Sequence, residues 1–91
     1  MKVTKQFFIY GRVQGVGFRY FTWKEAEKIG IKGSVRNRSD GSVEVIAQGN
    51  EAQVSALAQW LKTGPKTAKV ERVIVNEHRE IIVKNFSIIH H

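Results

Sequence analysis

Between Val13 and Phe18 the apolar spacing of this chain changes period, and few folds accommodate that change so early. Residues 5–13 alternate: Phe7, Ile9 and Val13 fall on one side, Phe8, Tyr10 and Arg12 on the other. That period of two, in a β-branched and aromatic stretch, predicts a strand. From Phe18 the apolar residues recur as Phe18, Thr22, Ala26 and Ile29, with Phe21 on the same flank, which predicts a helix over about 18–28 closed by Gly30. Only Gln14-Gly15-Val16-Gly17 separates the two patterns. A strand must therefore turn into a helix within four residues.

The rest of the chain repeats the theme. Residues 31–37 read as a second strand, and Arg38-Ser39-Asp40-Gly41 carries a hairpin signal. Residues 42–48 read as a third strand with Val43, Val45 and Ala47 inward. Asn50 is a good N-cap, and Val54, Leu57, Ala58 and Leu61 form the apolar stripe of a second helix ending near Thr63. Pro65 marks the loop that follows. Residues 69–75 read as a fourth strand and residues 83–89 as a short fifth. The order βαββαβ predicts an α+β fold, a two-layer ferredoxin-like sandwich with an antiparallel sheet and two helices on one face. The 91 residues are expected to form a single domain, 1–91.

Composition narrows the function classes. With no cysteine there is no disulfide, thiolate nucleophile or thiolate metal site. No apolar run approaches the ~20 residues of a membrane span, and no export signal is visible, so a cytoplasmic location without membrane contact is expected. The net charge is +7, and it is unevenly placed. Residues 1–38 carry nine basic and two acidic side chains, residues 39–91 six of each. Such a field favours an anionic ligand.

The strand-to-helix junction is where an anion fits. Glycines at positions 15 and 17 permit positive φ, so successive main-chain N–H groups can face one side of the loop. The helix behind leaves further N–H groups unpaired and carries about half a positive charge at its start. Arg19, in the first turn, opposes that dipole, and a bound anion relieves the conflict. Its planar fork suits phosphate oxygens. A plain turn with a solvated arginine is the competing reading. The loop is neither a Walker P-loop, lacking Gly-Lys-Ser/Thr, nor a dinucleotide fingerprint. A basic RNA-binding module without catalysis is the alternative function, on the strength of Phe8 and Tyr10. Against it, the third strand has no aromatic residue where RNA-recognition sheets stack bases.

Ile9-Tyr10-Gly11-Arg12-Val13-Gln14-Gly15-Val16-Gly17-Phe18-Arg19 resembles the first signature of the acylphosphatase family. Gly33-Ser34-Val35-Arg36-Asn37-Arg38-Ser39-Asp40-Gly41-Ser42-Val43, followed by Gly49, resembles the second. Ser34 departs from a position that is usually aromatic in the family. The resemblance implies hydrolysis of acylphosphates to a carboxylate and inorganic phosphate. It implies Arg19 and Asn37 as catalytic residues, with phosphate held by Arg19 and by the backbone amides of the loop Gln14, Gly15, Val16, Gly17 and Phe18, and water oriented by Asn37. It implies no metal, cofactor or covalent intermediate. The expected partners are a small acylphosphate and its phosphate product, with no nucleic acid, and the expected state is a monomer. Asp40 is explained by the turn, His78 by solvent, and His90-His91 do not support a metal site.

Overall fold

The structure is a computed structural model and describes residues 1–90. Seven elements follow in order: β1 (Lys2–Arg12), α1 (Phe18–Ile29), β2 (Lys32–Asn37), β3 (Val43–Asn50), α2 (Glu51–Leu61), β4 (Lys69–Glu77) and β5 (Phe86–Ile89). The strands form one sheet in the order β4-β1-β3-β2-β5. The two helices pack on one face, as the amphipathic stripes require.

Alternation in β1 works as expected. Phe7, Ile9 and, beyond the strand, Val13 are essentially inaccessible, as are Val43, Val45 and Ala47 of β3. Against them lie Phe18, Thr22 and Ala26 of α1 and Val54, Leu57 and Leu61 of α2. Phe21 departs from the expected stripe: it is 40% exposed and points off the sheet. A helix stripe drifts with the 3.6 period, and position 21 falls beside the buried row rather than in it. Asn50 caps α2 through a full capping box: its side chain accepts from Gln53 N–H at 2.8 Å, and Gln53 Oε1 accepts from Asn50 N–H at 2.8 Å.

The expectation of an antiparallel sheet needs correction. β1, β2, β3 and β4 pair antiparallel, but β5 runs parallel to β2, with Gly33 opposite Phe86 and Arg36 opposite Ile89. The strand directions explain why. β4 finishes at the end of the sheet where β2 begins, so a segment crossing that end delivers β5 alongside β2 in the same direction. Gln48 fastens the crossing: its Nε2 donates to Ile81 O at 3.1 Å and its Oε1 accepts from Ile81 N–H at 2.9 Å. Thr4 Oγ1 donates to the same Oε1 at 2.7 Å. β5 is also shorter than expected, starting at Phe86 rather than Val83.

The hairpin between β2 and β3 is a five-residue connection, residues 38–42, one residue longer than the expected 38–41 turn. Asp40 Oδ1 accepts from Ser42 N–H at 2.9 Å and from Ser42 Oγ at 2.5 Å, and Arg38 N–H donates to Ser42 O at 2.8 Å. These local bonds replace ladder bonds across the turn.

Two predictions follow from these contacts. Thr22 Oγ1 is buried with no hydrogen-bond partner, and an unpaired buried hydroxyl costs about 1–3 kcal/mol. Thr22→Val should therefore raise stability by about 1 kcal/mol, read as a thermal midpoint higher by roughly 4–8 °C; a lower midpoint would contradict the assignment. The hydroxyl and N–H of Ser42 hold the Asp40 carboxyl below its ordinary value of 3.8. A lowered folded value means that its contribution is complete above pH 3.8 and disappears as pH falls through the lower, folded value. Carboxyl NMR of Asp40 should show a midpoint below 3.8, and Ser42→Ala should move it upward.

Candidate active site

Three chain ends meet at one edge of the sandwich. The sheet directions bring the ends of β1, β2 and β5 together, beside the start of α1. The junction between β1 and α1 turns there. Gly15 has φ 73°, and Gly17, the residue preceding the helix, has φ 79° and ψ 16°. Both lie in the left-handed region, where a side chain would be strained. A Cβ on Gly15 would meet nothing within 4 Å, so it is conformation and not space that calls for glycine there.

Arg19 follows directly in the first turn, which holds no acidic residue. Its Nη1 donates to Ile89 O at 3.2 Å, so the end of β5 anchors the guanidinium. Among the described residues no carboxylate lies within ion-pair distance of it. Four of its five N–H donors have no other partner among those residues.

Asn37, the last residue of β2, opens into the same pocket. This pocket has a volume of about 180 Å³, and Gly15, Gly17, Phe18, Arg19 and Asn37 line it. Val13, Tyr20, Ile88 and His90 complete the wall. Among the described residues the Asn37 side chain makes no hydrogen bond to protein. Arg19 and Asn37 also border a neighbouring open basin with Arg36, Arg38, Ser39 and His90. Arg36 is partly neutralised there by Glu44. Arg38 interacts with Asp40 at 3.2 Å.

Of the seven residues singled out from sequence, five line the pocket. The other two do not. The Gln14 side chain turns away, and its Nε2 donates to Arg38 O at 2.8 Å and Ser42 O at 2.9 Å. It ties the glycine loop to the hairpin that follows Asn37. Val16 packs against the core, and its carbonyl accepts from Thr67 Oγ1 at 2.6 Å. Both can contribute only main-chain groups to an anion.

Tyr20, Ile88 and His90 are site residues that sequence reasoning missed. The signal for the last two would have been the β2–β5 pairing, which no local pattern carries. His91 lies outside the described residues. Among the described residues no cluster of three His, Asp or Glu side chains could hold a metal ion, and no helix is long and apolar enough to cross a membrane. On the helix-free face, the Arg38 guanidinium stacks 4.3 Å over the Phe8 ring, and its Nη1 donates to the Tyr10 hydroxyl at 3.4 Å. The two aromatics considered for base stacking are thus already engaged.

Comparison with known proteins places the chain among acylphosphatases. The acylphosphatase family model matches residues 5–88. An acylphosphatase of Pasteurella multocida (strain Pm70) is 62% identical over 76 residues, 84% of either chain. The crystal structure of acylphosphatase from Bacillus subtilis superposes with a TM-score of 0.89 at 40% identity, covering 98% of this chain and 99% of that one. An acylphosphatase from Coxiella burnetii gives 0.91 at 33% identity over 96% and 92%. The chain belongs to the acylphosphatase family, enzymes that hydrolyse the carboxyl–phosphate bond of acylphosphates.

Proposed function

We propose that Arg19 and the main-chain amides of Gln14, Gly15, Val16, Gly17 and Phe18 hold the phosphoryl group of the substrate while Asn37 orients the attacking water. The observation that carries this reading is the shared pocket: Arg19 and Asn37 line it together with the two left-handed glycines, at the positive end of α1.

The reaction asks little of the protein. A carboxylate is a good leaving group and departs without needing a strong acid. Phosphoryl transfer passes through a loose transition state, so positioning and charge stabilisation do most of the work. Arg19 and the amides stabilise the equatorial oxygens as charge redistributes. The Asn37 amide can accept from water through its oxygen and donate through its nitrogen. Water attacks phosphorus, the bond from phosphorus to the acyl oxygen breaks, and that oxygen leaves with the electron pair as carboxylate. Asparagine is a poor base, so the water's proton passes to a phosphoryl oxygen.

The anchor on Ile89 matters to this scheme. Arg19 sits where the helix dipole repels it, and a cation there is favoured only when something negative is bound. The Ile89 carbonyl supplies a partial negative charge beside the guanidinium, and the phosphoryl dianion supplies the full one in the complex. In this reading the enzyme works as a single-domain, cytoplasmic monomer, with every group of the pocket supplied by one chain.

Arg19→Ala should lower kcat/KM for benzoyl phosphate by about a thousandfold, the scale of losing a main electrostatic donor. Arg19→Lys should fail nearly as badly, because a point charge does not replace the bidentate fork. Full activity in either variant would refute the role. Asn37→Ala should lower kcat by about a hundredfold or more through lost positioning, while competitive inhibition by inorganic phosphate stays as in the parent. An unchanged kcat would remove Asn37 from the mechanism.

A further inference from the structure

A second cleft lies on the other flank of the glycine loop. It is larger than the Arg19 pocket, about 530 Å³, and runs between α1 and the segment after α2. Phe21, Trp60 and Pro65 supply its apolar surface, and Lys24, Lys28 and Lys66 stand around it. Glu25 and Thr67 also line it. Among the described residues none of the three lysines pairs with a carboxylate.

Four contacts join this cleft to the site. Phe18, which lines the Arg19 pocket, packs on Trp60 with ring centroids 6.0 Å apart. Tyr20, also of that pocket, meets Phe21 edge-on at 5.3 Å. Gly17 lies against Phe21 so closely that a Cβ would sit 3.4 Å from its ring, and Val16 O is held by Thr67 of the cleft. The Val16–Gly17 turn is thus a shared border. A group that leaves the pocket across that border enters an apolar cleft rimmed by cations.

In-line displacement determines which part of the substrate does so. The acyl oxygen must depart from the face of phosphorus opposite the incoming water. With water held by Asn37 and the loop amides on the equatorial oxygens, the acyl half leaves the pocket on the side away from Asn37, where the rim it can bend over toward an apolar surface is the Val16–Gly17 turn. We infer that the cleft between α1 and residues 60–67 is the acyl-group subsite, and that it takes an acyl group with an aromatic body and an anionic far end. This rests on the roles assigned above to Arg19 and Asn37. The ring of such a group lies against Phe21 and Trp60, and the distal charge meets the unpaired lysines in place of solvent.

Three substrates separate the parts: acetyl phosphate, which carries neither a ring nor a distal charge, benzoyl phosphate, and 4-carboxybenzoyl phosphate. In the parent, kcat/KM should rise about tenfold from acetyl to benzoyl, the scale of an added apolar contact. It should rise a further few-fold to the carboxylated substrate, and that last gain should vanish at high salt. Phe21→Ala should erase the benzoyl advantage and leave acetyl phosphate hydrolysis unchanged. The double variant Lys28→Gln, Lys66→Gln should erase only the gain from the distal carboxylate. An unchanged benzoyl-to-acetyl ratio in Phe21→Ala, or an equal loss on all three substrates, overturns the subsite. A binding readout keeps the subsite distinct from the catalytic roles. Terephthalate added with phosphate should shift the Trp60 indole NMR signal equally in the parent and in Asn37→Ala. Absence of that shift overturns the subsite even if Asn37→Ala is inactive. Normal turnover by Asn37→Ala overturns the role of that residue, while the shift still reports on the cleft.

Discussion

The molecule is organised around a cation placed where a helix would rather have an anion. Arg19 occupies the first turn of α1, at the positive end of the dipole and beside unpaired main-chain N–H groups. Left alone, that arrangement is unfavourable. It becomes useful once the Ile89 carbonyl holds the guanidinium and a phosphoryl dianion can fill the space in front of it. The left-handed glycines at 15 and 17 are the geometric partner of this conflict, because they let a strand end and a helix begin within the same few residues.

The rest of the fold serves to keep the groups of this corner together. β1 carries the loop, β2 carries Asn37, and β5 carries the anchor for Arg19. None of these strands is adjacent to both of the others in sequence. Gln14 adds a direct brace by donating to two carbonyls of the 38–42 turn, which ties the glycine loop to the turn that follows Asn37. The Asp40–Ser42 bonds stiffen the same turn from within. Preorganisation of this kind matters most for a reaction that has little need of acid, base or metal and depends on position.

Much of this was legible in the residues. The period change at Val13–Phe18 located the junction, and the Asn50 cap and Gly30 stop bounded the helices. The alternation in β1 and β3 picked out the buried face, and the two signature runs pointed to Arg19 and Asn37. Phe21 was misjudged because a helix stripe drifts and its edge depends on what packs there. Gln14 entered the reading only through its main chain, and its side chain serves the hairpin, a destination set by residues more than twenty positions away.

By itself the amino-acid order determined what depends on near neighbours: strand and helix periods, caps, the glycine turn and the basic first 38 residues. Each is set by steric and hydrogen-bonding preferences acting over a few residues, so each can be read locally. Only the tertiary structure decided the parallel placement of β5 against β2, the anchoring of Arg19 by a carbonyl 70 positions later and the presence of Tyr20, Ile88 and His90 around the pocket. These follow from which apolar faces bury against which and from where a crossing segment can run, and neither is written in the spacing of any single stretch of chain.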